Sequence, residues 1–242
     1  MKISIDKLGN IICRAVQVDF VTLRRFASVS SLEKIGSRSG GWIVPVERFS
    51  EDSICYCAGA GEDISFDIGL VERFGCNVYT LDPTPRAIRY VERAAKGVKE
   101  LTFCGIGLWD ANENVRFYAP ANPKHVSHSA LNLQATTEYF VGPCRRLSEL
   151  MEENGHEHLT LLKLDIEGAE YRVIDSIIKD RVMIEILCVE FDEIHHPLDG
   201  SYKRRIRHYV ERLLDVGFQL AVVDGLGNYT FVAPRRMNDV VR

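Results

Sequence analysis

No stretch of this chain reaches the roughly 18 apolar residues in a row that a bilayer-spanning helix needs. The opening MKISIDKLGN also lacks an apolar core of signal-peptide length, so a soluble, cytoplasmic protein without a membrane span is expected. Paired-cysteine spacing is missing as well. Cys13, Cys55, Cys57, Cys76, Cys104, Cys144 and Cys188 are an odd number, contain no CxxC, and several stand in apolar runs. That argues against a disulfide framework and for reduced thiols in a core. Cys55 and Cys57 share one strand face and could take a metal, but burial is the commoner fate. No basic stripe stands out: Arg204-Arg205 and Arg235-Arg236 are isolated pairs. With a net charge of −4 and a pI near 6.0 this argues against a nucleic-acid partner. Ser127, His128 and Ser129 sit together without a GxSxG turn, which leaves hydrolase chemistry without an oxyanion motif. There is no internal repeat and no low-complexity tract.

What the chain does have is one organised stretch from Ser53 to Pro85. Ile54 to Cys57 is a short apolar run that leads into Gly59-Ala60-Gly61. From Glu62 onward, Ile64, Ile68, Val71 and Phe74 recur at the spacing of one helix face. Val78 to Leu81 reads as a second buried strand, and Asp82 follows it, about 20 residues beyond the glycines, where a nucleoside-binding fold presents an acid to ribose hydroxyls. Two details favour S-adenosylmethionine over a dinucleotide. The third glycine of the dinucleotide fingerprint is replaced by the run Glu62-Asp63-Ile64. Glu62 and Asp63 also put negative charge where a pyrophosphate would sit, whereas a ligand with an ammonium and a sulfonium tolerates them. Acids in a first helical turn also complement the helix dipole, which is the plainer account of these two alone.

The 242 residues, 46% hydrophobic and 26% charged, suit one main domain, divided here as 1–50, a helical cap, and 51–242. The cap rests on a weak helical pattern from Phe20 to Leu32, followed by the flexible turn GSRSGG at 36–41. After Asp82, Pro85 suits the first turn of a helix that carries Ile88, Val91 and Ala95 inward and ends near Gly97. Leu101 to Gly105 is a third strand, and Ile106 to Asp110 is expected as a turn over the ligand's base. Asn112 to Cys144 is irregular, with short strands at Val115 to Tyr118 and Tyr139 to Val141. Between them His125, Ser127, His128 and Ser129 mark a candidate lid or acceptor contact. A helix from Leu147 to Asn154, a strand from Leu159 to Leu164, a helix carrying Val173, Ile174, Ile177 and Ile178, and a strand from Ile184 to Val189 continue the alternation. A helix from Tyr202 to Val216 and a hairpin of Gln219 to Val223 with Tyr229 to Ala233 complete it. Strand–helix alternation predicts a mostly parallel sheet that ends in an antiparallel hairpin: an α/β, seven-stranded, Rossmann-like (class I) methyltransferase outline.

The run Lys163-Leu164-Asp165-Ile166-Glu167-Gly168-Ala169-Glu170 resembles the K-x-D-x-E-G-x-E signature of the FkbM family of S-adenosylmethionine-dependent methyltransferases. The glycine loop, Asp82 and Cys144-Arg145-Arg146-Leu147 fall where that family has its cofactor loop, its ribose carboxylate and a strand entering a helix. The likeness covers roughly 42–234. Where many methyltransferases carry an acid and a further glycine before the loop, this chain has Cys55 and Cys57. The resemblance implies S-adenosyl-L-methionine as cofactor and O-methylation of a hydroxyl on a small molecule or glycan. It implies Ala58, Gly59, Gly61, Asp63, Asp82, Pro83 and Asp165 as cofactor contacts.

An alcohol acceptor must lose a proton, and Asp165, Glu167, Glu190, Asp192, His195 and His196 all follow core strands. Asp165 and His195 lead as general base, with Glu167 as the third catalytic candidate. For Glu170, helix capping is the competing role, and for His196, before Pro197, a turn role is favoured. No metal is assigned, a carboxylate-held divalent ion being the variant. An NAD-dependent oxidoreductase and a cofactor-free scaffold of the same fold are the alternative functions.

Overall fold

Strands covered on both faces need apolar side chains at nearly every position, and the runs ICYCA, HLTLLKL and MIEILCVE come close to that. In the computed structural model, which describes residues 18–234 apart from 20, 123, 124 and 226, they form the centre of a seven-stranded sheet. Its strands are β3 (Ile54–Ala58), β4 (Asn77–Leu81), β5 (Leu101–Cys104), β9 (His158–Leu164), β10 (Met183–Glu190), β11 (Gln219–Asp224) and β12 (Asn228–Val232). Their order is β11-β12-β10-β9-β3-β4-β5. The five from β5 to β10 pair in parallel, while β12 pairs antiparallel with both β10 and β11. The expected parallel sheet with its closing hairpin is therefore present.

From β3 the chain moves outward through β4 to β5 and then crosses back to lay β9 on the other side of β3. The strand order thus reverses between β3 and β9, which opens a crevice at the carboxyl ends of the strands.

Among the described residues five helices flank this sheet: α1 (Ser65–Phe74), α2 (Pro85–Ala94), α3 (Leu147–Glu153), α4 (Glu170–Asp180) and α5 (Tyr202–Asp215). As their spacing marks out, α4 buries Val173, Ile174 and Ile177 and α5 buries Ile206, Val210 and Leu213, whereas α1 buries Phe66, Leu70 and Val71 and leaves the expected Ile68 and Phe74 half-buried, and α2 buries Ala87 and Val91 with Ile88 half-buried. Fully burying a side chain of that size is worth about 1.5–3 kcal/mol. Helix α1 starts at Ser65, later than the periodicity suggests. The Asp63 carboxylate takes the Ser65 N–H at 3.0 Å and leaves Gly59 to Asp63 free to form the loop. Gly75, at φ 67°, ends α1 in the left-handed region and sends its N–H back to the Val71 carbonyl.

Two expectations need correction. No helix forms over residues 21–32, where the periodicity suggested one. Asp19 instead closes a turn by accepting the Thr22 N–H and hydroxyl at 2.6 and 2.5 Å, and Leu23 and Ser31 adopt left-handed φ values of 59° and 54°. Leu32–Ile35 (β1) and Trp42–Pro45 (β2) then pair antiparallel across the Ser37–Gly41 turn. Trp42 and Val44 are buried in the same cluster as β3 and α1.

The second correction concerns the turn over the base. Gly107–Trp109 is a strand, β6, in a small sheet of order β6-β8-β7 with β8 (Tyr139–Arg146) and β7 (Glu113–Tyr118). A Cβ on Gly107 would stand 2.9 Å from the Cys144 sulfur, so this glycine serves sheet packing, and Gly107 and Leu108 still line the cavity at the end of the main sheet, as expected of this stretch.

Cys55, Cys57, Cys76, Cys144 and Cys188 are buried free thiols and Cys104 is half-buried, as core cysteines should be. Residues 1–17 of the expected cap, with Cys13, together with Phe20, Leu226 of the hairpin turn and Arg235-Arg236, lie outside the described residues. Arg205 is committed to Glu193 and Asp199. Among the described residues no helix is long and apolar enough to cross a membrane.

Candidate active site

The crevice between β3 and β9 is a cavity of about 400 Å³. Strand β3 delivers Ala58 and then Gly59, whose φ of 86° and whose backbone contact with Asp165 both demand glycine. Gly59 donates its N–H to the Leu81 carbonyl at 2.9 Å, and Asp165 donates its own to Ala58 at 3.2 Å. The ends of β3, β4 and β9 are thereby tied to one another.

Strand β4 delivers Asp82, which is buried, and its carboxylate organises the loop. Oδ2 accepts the Ala60 and Gly61 N–H groups at 3.0 and 2.9 Å, and Oδ1 accepts the Thr84 N–H at 2.7 Å. A carboxylate has about four acceptor sites, so one remains for a ligand hydroxyl. Asp63 accepts from the Ser37 hydroxyl at 2.6 Å as well as from Ser65. Burial works against its charge, but the bonds from Ser37 and Ser65 outweigh that and hold its pKa below the usual carboxylate value. Glu62 turns outward to a paired contact with Arg86 at 2.8 and 2.6 Å.

Strand β9 carries Lys163, a cation 4% exposed in an otherwise apolar run. Its ammonium donates to the Gly59 carbonyl at 2.6 Å and lies 3.1 Å from Asp165 Oδ2. Burial pulls its pKa down, but Asp165 and then Asp67 more than offset this, and it is held above the usual lysine value. Lys163 thus locks the glycine loop to the catalytic candidate Asp165. The sequence signal for this role is a lone Lys in the run LTLLKL, absent from the candidates above.

Past Asp165 the chain turns sharply through Glu167 at φ 54° and Gly168 at φ 98°. Glu170, at the start of α4, holds this turn by accepting the Ile166 and Gly168 N–H groups at 3.0 and 3.1 Å. The Ser129 hydroxyl caps it from above, donating to the Glu167 carbonyl at 2.6 Å. The Glu167 side chain lines the cavity, and burial, opposed by a hydrogen bond from Ser127, pushes its pKa up to about 7. Behind it lie more acids. Burial raises Glu170 and Glu190 to about 8 each, and raises Asp192 as well. Among the described residues Glu170 Oε2 and Asp192 Oδ2 meet no N–H or hydroxyl donor.

All seven expected cofactor contacts, Ala58, Gly59, Gly61, Asp63, Asp82, Pro83 and Asp165, line this one cavity, as does Glu167. Val126, Ser127 and His128 of the irregular excursion form its opposite wall, while His125 is exposed. His195 is not in the lining. It stands half-exposed past the end of β10, with Nε2 3.8 Å from Glu190 Oε1. Its pKa is lowered by partial burial and by His196. Cys55 and Cys57 lie inside the core rather than on the cavity wall. Among the described residues no group of three or more His, Cys, Asp or Glu side chains is arranged to hold a metal ion.

The chain is similar to the probable methyltransferase-like protein 24 of Rattus norvegicus and of Homo sapiens. Each is 24% identical over 166 residues, covering 66% of this chain and 39% of the relative. The chain therefore spans well under half the length of these curated relatives. Among solved structures, a methyltransferase FkbM from Methylobacillus flagellatus KT aligns with a TM-score of 0.46 at 14% identity, over 76% of this chain and 44% of that one. Fibrillarin from Aeropyrum pernix, solved with natively bound S-adenosyl-L-methionine, aligns with 0.45 at 10% identity, over 86% and 84%. The family model of the FkbM methyltransferase domain matches residues 37–220, more than half of the chain, and the chain belongs to that family.

Proposed function

We propose that this chain binds S-adenosyl-L-methionine in the cavity between β3 and β9 and transfers its methyl group to a hydroxyl of a small molecule or glycan. The observation that carries this reading is the convergence of the glycine loop, Asp82, Asp165 and Glu167 on a single space of about 400 Å³ at the point where strand order reverses. The residues fit the cofactor. A Cβ on Gly61 would meet only Val126, at 3.7 Å, so the loop is open toward the cavity. Asp82 keeps one acceptor site for a ribose hydroxyl, and the Asp63 carboxylate on the same wall suits an ammonium.

The cofactor supplies an electrophilic methyl on a sulfonium, and positioning is the chain's main contribution. Lys163 and Asp82 rigidify the loop, Ser129 and Glu170 fix the turn that presents Glu167, and Val126, Ser127 and His128 add a wall to the cavity. The base must reach the acceptor hydroxyl with a pKa suited to neutral pH. Glu167, on the wall and titrating near neutrality, meets both conditions. Asp165, its charge engaged by Lys163, orients the loop and the acceptor.

A nicotinamide dinucleotide fits less well. The Ala60 and Gly61 N–H groups that would cradle a pyrophosphate are already taken by the Asp82 carboxylate, and Asp63 adds negative charge beside them. The cofactor-free scaffold has no support from Cys55 and Cys57, which do not touch the cavity.

The test is thermal denaturation with S-adenosylmethionine, S-adenosylhomocysteine or NAD, because a ligand that binds only the folded state raises the melting temperature. A rise with the adenosyl ligands alone is expected, and a rise with NAD alone would overturn the cofactor assignment. Radiolabelled methyl transfer to a panel of polyols, phenols and oligosaccharides then tests the acceptor.

A further inference from the structure

A carboxylate receives a cationic group best when it is held in one orientation beforehand, so that little ordering is left to be done on binding. Asp63 is held from two sides. Its Oδ1 accepts the Ser65 N–H at 3.0 Å from the start of α1, and its Oδ2 accepts the Ser37 hydroxyl at 2.6 Å from the turn between β1 and β2. The neighbours of Ser37 fix the direction of the second bond. The N–H groups of Gly40 and Ser39 reach the Ser37 oxygen at 2.9 and 3.2 Å and take both lone pairs, so its one hydroxyl hydrogen goes to Asp63. Ser39 Oγ is farther away, at 3.3 Å. With two of its roughly four acceptor sites filled, the Asp63 carboxylate keeps the others for a ligand.

The turn itself has little freedom. The Ser37 N–H donates to Ser65 Oγ at 2.7 Å, and Lys34 Nζ joins the Arg38 carbonyl, at 3.1 Å, to Asp224 at the end of β11, at 2.9 Å. Gly36 lies so close to α1 that a Cβ there would stand 2.8 Å from the Phe66 nitrogen, and a Cβ on Gly40 would stand 2.7 Å from Asp63 Oδ2. Ser39 and Gly40 line the same cavity as Gly59, Gly61 and Asp63. The stretch GSRSGG, expected as a flexible turn, is therefore part of the cavity wall and is pinned between α1 and β11.

We propose that Ser37 is a positioning residue for the cofactor: through Asp63 it holds the place that receives the ammonium at the amino-acid end of S-adenosylmethionine. This rests on the methyltransferase reading of the same cavity. The two acids of the loop divide the ligand between them. Asp82 takes its donors from Ala60, Gly61 and Thr84 and serves the ribose, whereas Asp63 takes its donors from Ser37 and Ser65 and serves the ammonium. Loss of the Ser37 hydroxyl frees the Asp63 carboxylate to rotate and leaves Asp82 as it was. Ligands that carry the ammonium therefore lose affinity, and ligands that lack it do not.

Calorimetry on the full chain with two probes tests this. One is S-adenosylhomocysteine, and the other is its deamino analogue, which keeps the adenosine, the sulfur and the carboxylate but lacks the ammonium. The wild type should prefer S-adenosylhomocysteine by about tenfold or more, the worth of one charged hydrogen bond. In Ser37→Ala that preference should shrink several-fold through weaker binding of S-adenosylhomocysteine, with affinity for the analogue unmoved. Gly40→Ala keeps the Ser37 hydroxyl but displaces the Asp63 carboxylate, so it should lower the preference in the same way, and it serves if Ser37→Ala fails to fold. Equal losses for the two probes would mean that Ser37 only shapes the turn. That result, or a preference that stays unmoved, overturns the proposal and leaves the cofactor reading standing. A wild type that binds neither probe removes the cofactor reading, and the role of Ser37 with it.

Discussion

Gly59 and Asp165 meet backbone to backbone: a Cβ on Gly59 would stand 1.7 Å from the Asp165 carbonyl oxygen. Every group of the cavity depends on that approach, since it fixes the glycine loop against the turn that carries Glu167. Gly59→Ala is therefore expected to shift β3 away from β9 and abolish S-adenosylhomocysteine binding. The loss of stability should exceed the 1–3 kcal/mol or so of a strained φ alone. Urea denaturation with calorimetry checks both, and an alanine variant that binds normally would mean that the contact is not what holds the loop.

Asp82→Asn should weaken cofactor binding by roughly 1.5–3 kcal/mol, because charge-assisted bonds to two loop N–H groups and to the ligand become neutral or mismatched. Asp82→Ala should do so more strongly while the sheet stays folded. Unchanged affinity in a folded variant would reduce Asp82 to a strand-end residue.

Lys163→Met removes the cation between Gly59 and Asp165 while keeping the length of the side chain. Breaking a buried pair from one side costs about 3–5 kcal/mol, so a lower urea midpoint is expected. Lys163→Arg should not rescue it, since a guanidinium does not fit a space shaped for one ammonium.

Glu167→Gln should leave S-adenosylhomocysteine affinity nearly intact and lower single-turnover methyl transfer by about 10²–10⁴, the usual worth of a general base. Asp165→Asn should lower both turnover and affinity, because it also releases Lys163 from its partner. Equal losses in the two variants would shift the role of base to Asp165.

Stability should fall as pH rises toward the alkaline side. Glu167, Glu170 and Glu190 have folded pKa values raised to about 7, 8 and 8. The folded state therefore binds more protons than the unfolded one from the ordinary carboxylate range up to those values, and in that window unfolding free energy decreases with pH. Asp63, Asp180 and Glu193 are shifted the other way, and their contribution is lost as pH falls through the ordinary carboxylate range. A maximum at mildly acidic pH follows. Urea midpoints at constant ionic strength check it, and Glu170→Gln should flatten the alkaline limb.

The sheet was legible because its strands are short apolar runs between glycines and amphipathic helices, a pattern that depends on neighbours in sequence. Asp82 and the 163–170 turn were legible for the same reason, each lying directly after such a run. The N-terminal hairpin was not. Its strand Leu32–Ile35 buries only Ile35 fully, so no alternation betrays it, and the turn before it is closed by the side chain of Asp19, which accepts both the N–H and the hydroxyl of Thr22. The burial of Glu170 and Asp192 could not be read either, since both look like acids near the start of a helical turn. His195 shows the reverse: its place after a core strand suggested the cavity, but the chain turns it toward solvent at Asp192–Ile194.

The excursion that walls the cavity leaves β7 and returns into β8, and those strands pair at Tyr118 and Tyr139. Its two ends are thus clamped side by side whatever lies between them. Lengthening such a loop costs little, roughly 0.6 kcal/mol for each doubling. The mouth of the cavity can therefore be enlarged, narrowed or replaced by grafting between Tyr118 and Tyr139, with Gly59, Asp82 and Lys163 left undisturbed.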